Sequence, residues 1–451
     1  MVRRPGRPSL SRFLDIWMNG ILVGNWSVSP RDGHRFRYAS AWITHPQGRP
    51  LSLSLPLSQG VRPFSGGRVE AFFDNLLPEN PDVRRRIAGH FGVHPGQSFE
   101  MLQQIGRDCA GAVQIVPAGE IPDDVHEVRA DPLSDSQIEA LLDEATATMP
   151  FRVADDEFRI SLAGVQNKIA LLLQNGQWCA PRGSTPTTHI LKLPLGRMPQ
   201  GVDLSSSVEN EWLCARVVQA FEIPVAHSQI ARFGRHKVLV VTRFDRVWRS
   251  TWWARLPQED FCQALGLPSS KKYQAHGGPG IDEILGILRG GSRPEIDRRD
   301  FLKAHLIFWL LAAPDGHAKN FSILLQAGER FHLAPLYDVL SAWPHVGSRP
   351  DQFDESRLSL AMGIRGKNMH YRLKDIRRRH WNAAAKRNAM GEDFESTIKQ
   401  VLKAVPNVLE ELPKLIPADF PASVSEPIFE GIRRQAQRLA AMAEPTRLWR
   451  P

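Results

Sequence analysis

The stretch Trp309-Leu310-Leu311-Ala312-Ala313-Pro314 runs straight into Asp315-Gly316-His317-Ala318-Lys319-Asn320. The apolar pattern over residues 301–313 predicts a buried helix, and Pro314 stops it, because proline fixes φ and donates no backbone hydrogen bond. A polar cluster follows at once. Two short apolar runs, residues 321–325 and 331–336, then flank Ala327-Gly328 and predict a small hairpin. The hairpin returns the chain to Pro335-Leu336-Tyr337-Asp338. Helix, polar loop and hairpin together give Asp315, Asn320 and Asp338 a mechanical reason to meet.

Three such groups suit phosphoryl transfer from ATP. That reaction asks a protein mainly for positioning and charge neutralisation. One carboxylate accepts the proton of the acceptor hydroxyl, and an amide and a second carboxylate hold Mg²⁺ against the phosphates. Protein kinases set the first carboxylate and the amide five positions apart, and Asp315 and Asn320 share that spacing. Asp338 is the second carboxylate. Hard oxygen ligands suit Mg²⁺, which keeps some water and takes its remaining ligands from phosphate. The same residues have structural readings. Aspartate at a helix end caps or turns the chain, Asn320 fits a turn, and a strand-end Asp338 can bond loop amides. Spacing alone leaves both readings open.

Outward from this stretch, residues from about 257 onward read as mostly helical, with helical patterns at 393–405, 408–415 and 427–442. Before it, residues 150–246 read as β-rich. They hold an apolar strand at 169–173 ending in Asn175-Gly176, a strand Ile190-Leu191-Lys192-Leu193, helical spacing over 211–221 and a buried strand at 238–242. Residues 117–135, rich in Asp and Pro, are expected to link two parts of the chain. The first part, 12–120, opens with two apolar runs around Asn19-Gly20, a strong hairpin signal. Residues 36–38 and 41–43 continue the strand character, and helical patterns follow at 69–73, 83–90 and 101–105, with a strand at 111–116.

Composition sets outer bounds. A chain of 451 residues is long for one core, so two or three domains are expected. No run of about 18 apolar residues occurs, so no membrane span is expected, and a basic start with no apolar stretch behind it argues against a secretion signal. Cys109, Cys179, Cys214 and Cys262 stand far apart without a CxxC pair, which favours a reduced, cytoplasmic setting over a disulfide framework or zinc knuckle. The net charge of +9 is modest for this length. Arg84-Arg85-Arg86 and Arg377-Arg378-Arg379-His380 are its densest clusters, readable as solvated helix faces or as contacts to polyanions.

Several further motifs occur in order along the chain. They are Phe72-Phe73-Asp74-Asn75-Leu76-Leu77-Pro78-Glu79, Ile105-Gly106-Arg107-Asp108-Cys109-Ala110-Gly111-Ala112 and Ser161-Leu162-Ala163-Gly164-Val165-Gln166-Asn167-Lys168. Ile190-Leu191-Lys192, Glu209-Asn210-Glu211 and Arg243-Phe244-Asp245-Arg246 follow, and Leu336-Tyr337-Asp338-Val339-Leu340-Ser341 closes the set. With these the sequence resembles the HipA family, serine/threonine kinase toxins of bacterial toxin–antitoxin operons, over almost its whole length. The resemblance implies an α+β, protein-kinase-like two-lobe fold. It would comprise an N-terminal β-rich subdomain (12–120), a nucleotide-binding lobe (150–246) and a mostly helical lobe (257–445), with ATP between the last two.

The resemblance also implies roles. Asp315 would be the catalytic base, with His317 and Lys319 orienting it or steadying the γ-phosphate. Asn320 and Asp338 would hold Mg²⁺. Lys192 would contact the ATP phosphates, with Glu211 as its partner and Glu209 as a rival. Thr242 and Phe244 would form the hinge at adenine. Ala163, Gly164, Val165, Gln166, Asn167 and Lys168 would form the nucleotide loop, with a single glycine where ordinary kinases carry GxGxxG. Ser161 would be a site of autophosphorylation, where a phosphate adds about −1.5 to −2 charges and repels ATP. Ala313-Pro314 stands where the family often has a small polar pair, which should stiffen the loop. The implied partners are a HipB-like helix-turn-helix antitoxin, operator DNA through that antitoxin, and an aminoacyl-tRNA synthetase as acceptor, glutamyl-tRNA synthetase foremost. Two alternatives remain: a co-repressor with little catalysis, and a small-molecule phosphotransferase.

Overall fold

The computed structural model describes residues 12–146, 164 and 166–444. Its first sheet is antiparallel, with the strands Phe64–Ser65, Gly33–Tyr38, Ile21–Ser29, Arg12–Met18 and Val113–Pro117 side by side in that order. Asn19 and Gly20 join two of them, both with positive φ, as the tightest hairpin turn requires. The helices Gly67–Asp74, Pro81–Phe91 and Ser98–Ile105 follow the first four strands. Gly67–Asp74 and Ser98–Ile105 bury Phe72, Phe73, Phe99 and Leu102 against Trp26 and Phe36 of the sheet. Trp26 and Phe73 stack at 3.8 Å. Residues 41–43, expected as strand, form the short helix Ser40–Ile43 instead. Trp42 alone is buried there, its indole N–H donating to the Arg49 carbonyl. One buried residue between two outward neighbours looks the same at helical and strand periods, so the pattern could not separate them.

A second antiparallel sheet places Ser228–Phe233, His236–Thr242, His189–Lys192, Lys168–Gln174, Gln177–Pro181 and Ala130–Pro132 in that order. Its last strand comes from the segment expected to be a linker. A three-residue strand ending in proline is tolerable only at an edge, where no neighbour needs the missing N–H. The helix Asp135–Thr146 then buries Ile138 and Leu142 with Leu171, Leu191 and Val238 of this sheet. The helix Ser207–Ala220 packs Val208, Leu213 and Val217 into a larger core with Leu239 and Val241.

That larger core belongs mainly to the helical part. It gathers Phe301, Leu306 and Trp309 of Pro294–Leu311, Trp381 of Arg378–Arg387, Ile398 of Glu395–Leu415 and Ile432 of Ala422–Ala440. The two helices expected at 393–405 and 408–415 are one, with Pro406 and Pro413 inside. The stripe Ile398, Val401, Val405, Val408, Leu412 keeps helical spacing through Pro406, and burying that continuous face outweighs one lost hydrogen bond. Of the two basic clusters, Arg378 is buried against Glu395 while Arg377 and Arg379 are exposed. Arg84 bonds Asp74 at 2.8 Å. No described helix is long and apolar enough to cross a membrane.

Candidate active site

The buried helix Pro294–Leu311 ends at Ala312, which takes the left-handed conformation (φ +47°) that usually falls to glycine. The chain then turns outward through Pro314 into the polar loop. Gly316 is required by packing: a Cβ there would lie 2.7 Å from the Phe308 ring. Residues Ala318–Asn320 form one tight turn, and the strand Ser322–Leu325 follows, paired with Gln258–Asp260 on one side and Phe331–Leu333 on the other. The expected hairpin thus returns the chain to Asp338, whose φ of +61° marks a forced bend.

The Asp315 side chain is 48% exposed, on the loop whose Lys319 and Asn320 line a cleft with Asp338, Lys168 and Lys192. The surrounding walls desolvate it enough to raise its pKa, against the pull of His317 and the Tyr273 hydrogen bond. A raised carboxyl is the better proton acceptor, provided it stays ionised at working pH. Tyr273 donates its hydroxyl to Asp315 Oδ1 at 2.5 Å. His317 Nε2 lies 3.8 Å from Oδ2, and burial keeps the imidazole pKa low. Asn320 Nδ2 donates to the Asp315 carbonyl at 2.8 Å. The nitrogen is thereby committed, and the amide oxygen is the atom left to meet a cation.

Across the cleft, Lys192 Nζ donates to Glu211 Oε1 at 2.6 Å and to Asp338 Oδ1 at 2.9 Å. Glu209, the rival partner, bonds Lys237. Burial opposes the Lys192 charge, yet Asp338 and Glu211 raise its pKa. Burial likewise works against the Asp338 charge, but Lys192 and Lys168 win and hold the carboxyl at about 2. Lys168 is the direct cross-strand neighbour of Lys192. Burial, and then the Lys192 charge, bring its pKa down to about 8. Two ammonium groups side by side with carboxylates beneath form a ready site for a polyanion. Gly164, at φ +107°, is close to them: a Cβ there would meet Lys168 Nζ at 2.5 Å. Gln166 donates to the Leu193 carbonyl, and Asn167 accepts from the Leu193 N–H at 3.1 Å. Thr242, Phe244, Ile190, Val241 and Tyr337 also line this cleft, with Phe244 and Tyr337 5.8 Å apart. Ser161, Ala163 and Val165 lie outside the described residues.

A divalent cation fits the donor set of Asn320 and Asp338. Among the described residues no cluster of three or more His, Cys, Asp or Glu could hold a metal alone. An amide and a carboxylate beside a phosphate site match Mg²⁺, which shares its shell with phosphate oxygens.

Lys319 was expected to orient Asp315 or steady the γ-phosphate, Arg243 and Asp245 belong to one of the ordered motifs, and Tyr273 was not singled out from the sequence. Lys319 has its three ammonium bonds directed to Asp260 Oδ2 (2.5 Å), Asn75 Oδ1 (2.9 Å) and the Asn75 carbonyl (3.3 Å), and none to Asp315. Tyr273 carried no signal beyond a loop aromatic. Arg243 and Asp245, open to a reading as flanking charges, belong to a fully buried hub. Asp108 accepts from Arg246, Arg255 and Thr187, and Arg243 bonds Asp245 and the Cys109 carbonyl. The hub ties the loop before Val113–Pro117 to residues 243–246.

The family model of the HipA-like C-terminal domain matches residues 160–409, and that of the HipA N-terminal domain matches residues 14–116. The chain belongs to the HipA family. The Sinorhizobium fredii protein Y4mE is 36% identical over 361 residues, 78% of this chain and 82% of that protein. The serine/threonine-protein kinase toxin HipA of Shewanella oneidensis is 28% identical over 373 residues, 78% of each chain. A solved Shewanella oneidensis MR-1 complex of HipA, HipB and operator DNA superposes with a TM-score of 0.76 at 24% identity, covering 95% of this chain and 98% of that one. The mixed α/β architecture is thus the HipA fold.

Proposed function

We propose that this chain is a serine/threonine protein kinase toxin that moves the γ-phosphate of ATP to a protein hydroxyl. The observation that supports the reading best is the Lys192–Glu211–Asp338 chain of bonds facing the Asp315–Asn320 loop across one cleft. Lys192 and Lys168 neutralise phosphate charge, while Thr242 and Phe244 border the adenine end. Asp338 and the Asn320 oxygen would hold Mg²⁺, which would supply neutralisation of the phosphate charge. Asp315 accepts the proton of the acceptor hydroxyl, and its oxygen lone pairs are aligned by Tyr273. His317, buried and uncharged at neutral pH, packs beside it. Lys319 positions the loop.

The finer reading follows the family. The acceptor is an aminoacyl-tRNA synthetase, glutamyl-tRNA synthetase first, and its modification stops tRNA charging and growth. Self-phosphorylation at Ser161 shuts the site by repelling ATP. The chain works in the cytoplasm, and a HipB-like antitoxin neutralises it and carries it to operator DNA. The exposed Arg377 and Arg379 favour a contact with phosphates in such an assembly. The test is a lysate incubated with γ-labelled ATP. Wild type should label one synthetase-sized band and itself; Asp315→Ala should label neither while still repressing the operon with its antitoxin. Ser161→Ala should lose only the self-label. An equal pattern for wild type and Asp315→Ala would sink the kinase reading.

A further inference from the structure

The segment Phe72–Glu79 lies in the first, N-terminal module, yet its Asn75 and Glu79 side chains make contacts outside that module. Asn75 is buried and accepts two of the three bonds of Lys319. Its own amide donates to the Ala71 and Leu267 carbonyls at 2.7 and 2.9 Å, so both amide hydrogens are committed. Asp260, the third partner of Lys319, caps the short helix Phe261–Ala264, and Gln263 of that helix donates to the Phe72 carbonyl. Lys319 directly precedes Asn320. One turn further along the segment, Glu79 Oε2 accepts from Lys272 Nζ at 2.7 Å. The Lys272 carbonyl accepts the Ala318 N–H at 3.1 Å, and the next residue, Tyr273, bonds Asp315. The Glu79 N–H donates to the Gly164 carbonyl at 3.1 Å, and Pro78 bridges Gly164.

One short segment therefore grips the loop that carries Asp315 and Asn320 at two points, and touches the nucleotide loop at a third. None of these contacts is needed to close the core of the N-terminal module, which Trp26, Phe36 and Phe73 fill. Polar groups reaching out of one module to fix two loops of another are what positioning requires, since a misplacement of about 1 Å can cost 100-fold in rate.

We propose that Asn75 and Glu79 are positioning residues of the transfer reaction, making the N-terminal module a working part of the active site. Asn75 sets Asn320 through Lys319, and Glu79 sets Asp315 through Lys272 and Tyr273. The proposal rests on the kinase reading above. It also gives a partner docked on the N-terminal module a direct mechanical route to the catalytic loop.

The test uses the full chain. Glu79→Gln, at the edge of the cleft, should keep the melting temperature and lower kcat about 10- to 100-fold, with KM for ATP little changed. It also releases the Lys272 ammonium beside Asp315, so the acid limb of the kcat profile should move to lower pH, which a purely structural defect would not cause. Lys272→Met added to Glu79→Gln should cost little more, because the two act as one unit. Asn75→Ala should show the same loss of kcat; as it leaves buried donors unpaired, it is paired with a reading that does not depend on folding yield. That reading is amide hydrogen exchange over residues 315–320, which should quicken in both variants. Unchanged exchange with unchanged kcat in Glu79→Gln would overturn the inference while leaving the kinase reading intact. A wild type that transfers no phosphate, with slow exchange across the loop, would overturn the kinase reading and the role built on it.

Discussion

Lys168 and Lys192 face each other across neighbouring strands, an arrangement that isolated sheets avoid. Here the repulsion has a consequence that can be measured. Burial and the Lys192 charge bring the Lys168 pKa down to about 8, so above that pH the side chain loses its proton. Phosphate restores the charge, and binding therefore takes up a proton at high pH. The sign follows: ATP affinity should hold up to about pH 8 and then weaken, by up to about tenfold per pH unit. Titrating a non-hydrolysable ATP analogue at pH 7 and pH 9.5 reads this, and Lys168→Arg, which stays charged, should flatten the curve. A wild-type affinity equal at both pH values would count against Lys168 as a phosphate ligand. Legibility at this scale was uneven. Lys192 alternates with Leu191 and Leu193, a pattern that fits an exposed strand face as well as an active site. Its bonds to Glu211 and Asp338 span 19 and 146 positions of sequence, and no local pattern carries such distances.

The Asp315–Asn320 loop shows how neighbouring elements fix the geometry of a site. The apolar run before Asp315, its stop and the hairpin to Asp338 were all readable, because each is a matter of local period or a turn residue. The tilt of the loop was not, since it depends on what Gly316 meets. A methyl group at that position would press into Phe308, on the helix that ends just before the loop. Gly316→Ala should therefore push the loop rather than break the fold: a stability loss of about 1–3 kcal/mol from overpacking, but a fall in transfer rate of about 100-fold. Phe308→Leu in the same chain should recover part of the rate by making room. Denaturant midpoints and initial rates on the three proteins check this, and a double variant no faster than Gly316→Ala would mean that the clash is not what moves the loop. Elements were misread where burial and composition disagreed. The edge strand Ala130–Pro132 looks like linker because it needs few apolar residues, and Pro406 looks like a break because the stripe running past it only counts once it is buried.

At the scale of the molecule, the N-terminal module is joined to the helical part through buried polar groups as well as apolar surface. Glu259, on the strand Gln258–Asp260, is fully buried and accepts from the Ser52 hydroxyl at 2.5 Å and the Leu53 N–H at 2.8 Å. Burial pushes its pKa up to about 8, against those two hydrogen bonds. The folded state therefore holds this proton to a higher pH than the unfolded chain, where a glutamate releases it near 4.3. With more protons bound folded than unfolded between these limits, the stability Glu259 contributes is complete below about pH 4 and declines as pH rises towards 8. Glu259→Gln keeps both contacts, its oxygen accepting from Leu53 and its nitrogen donating to Ser52, without a group that ionises. The stability of the variant relative to wild type should rise steadily from pH 5 to pH 8. Urea midpoints at pH 5, 6.5 and 8 measure it, and parallel lines for the two proteins would show that Glu259 ionises in the folded chain as it does in water. If this difference grows, the joint that holds Asn75 and Glu79 over the catalytic loop loosens with rising pH, and the transfer rate of wild type should fall relative to Glu259→Gln over the same range.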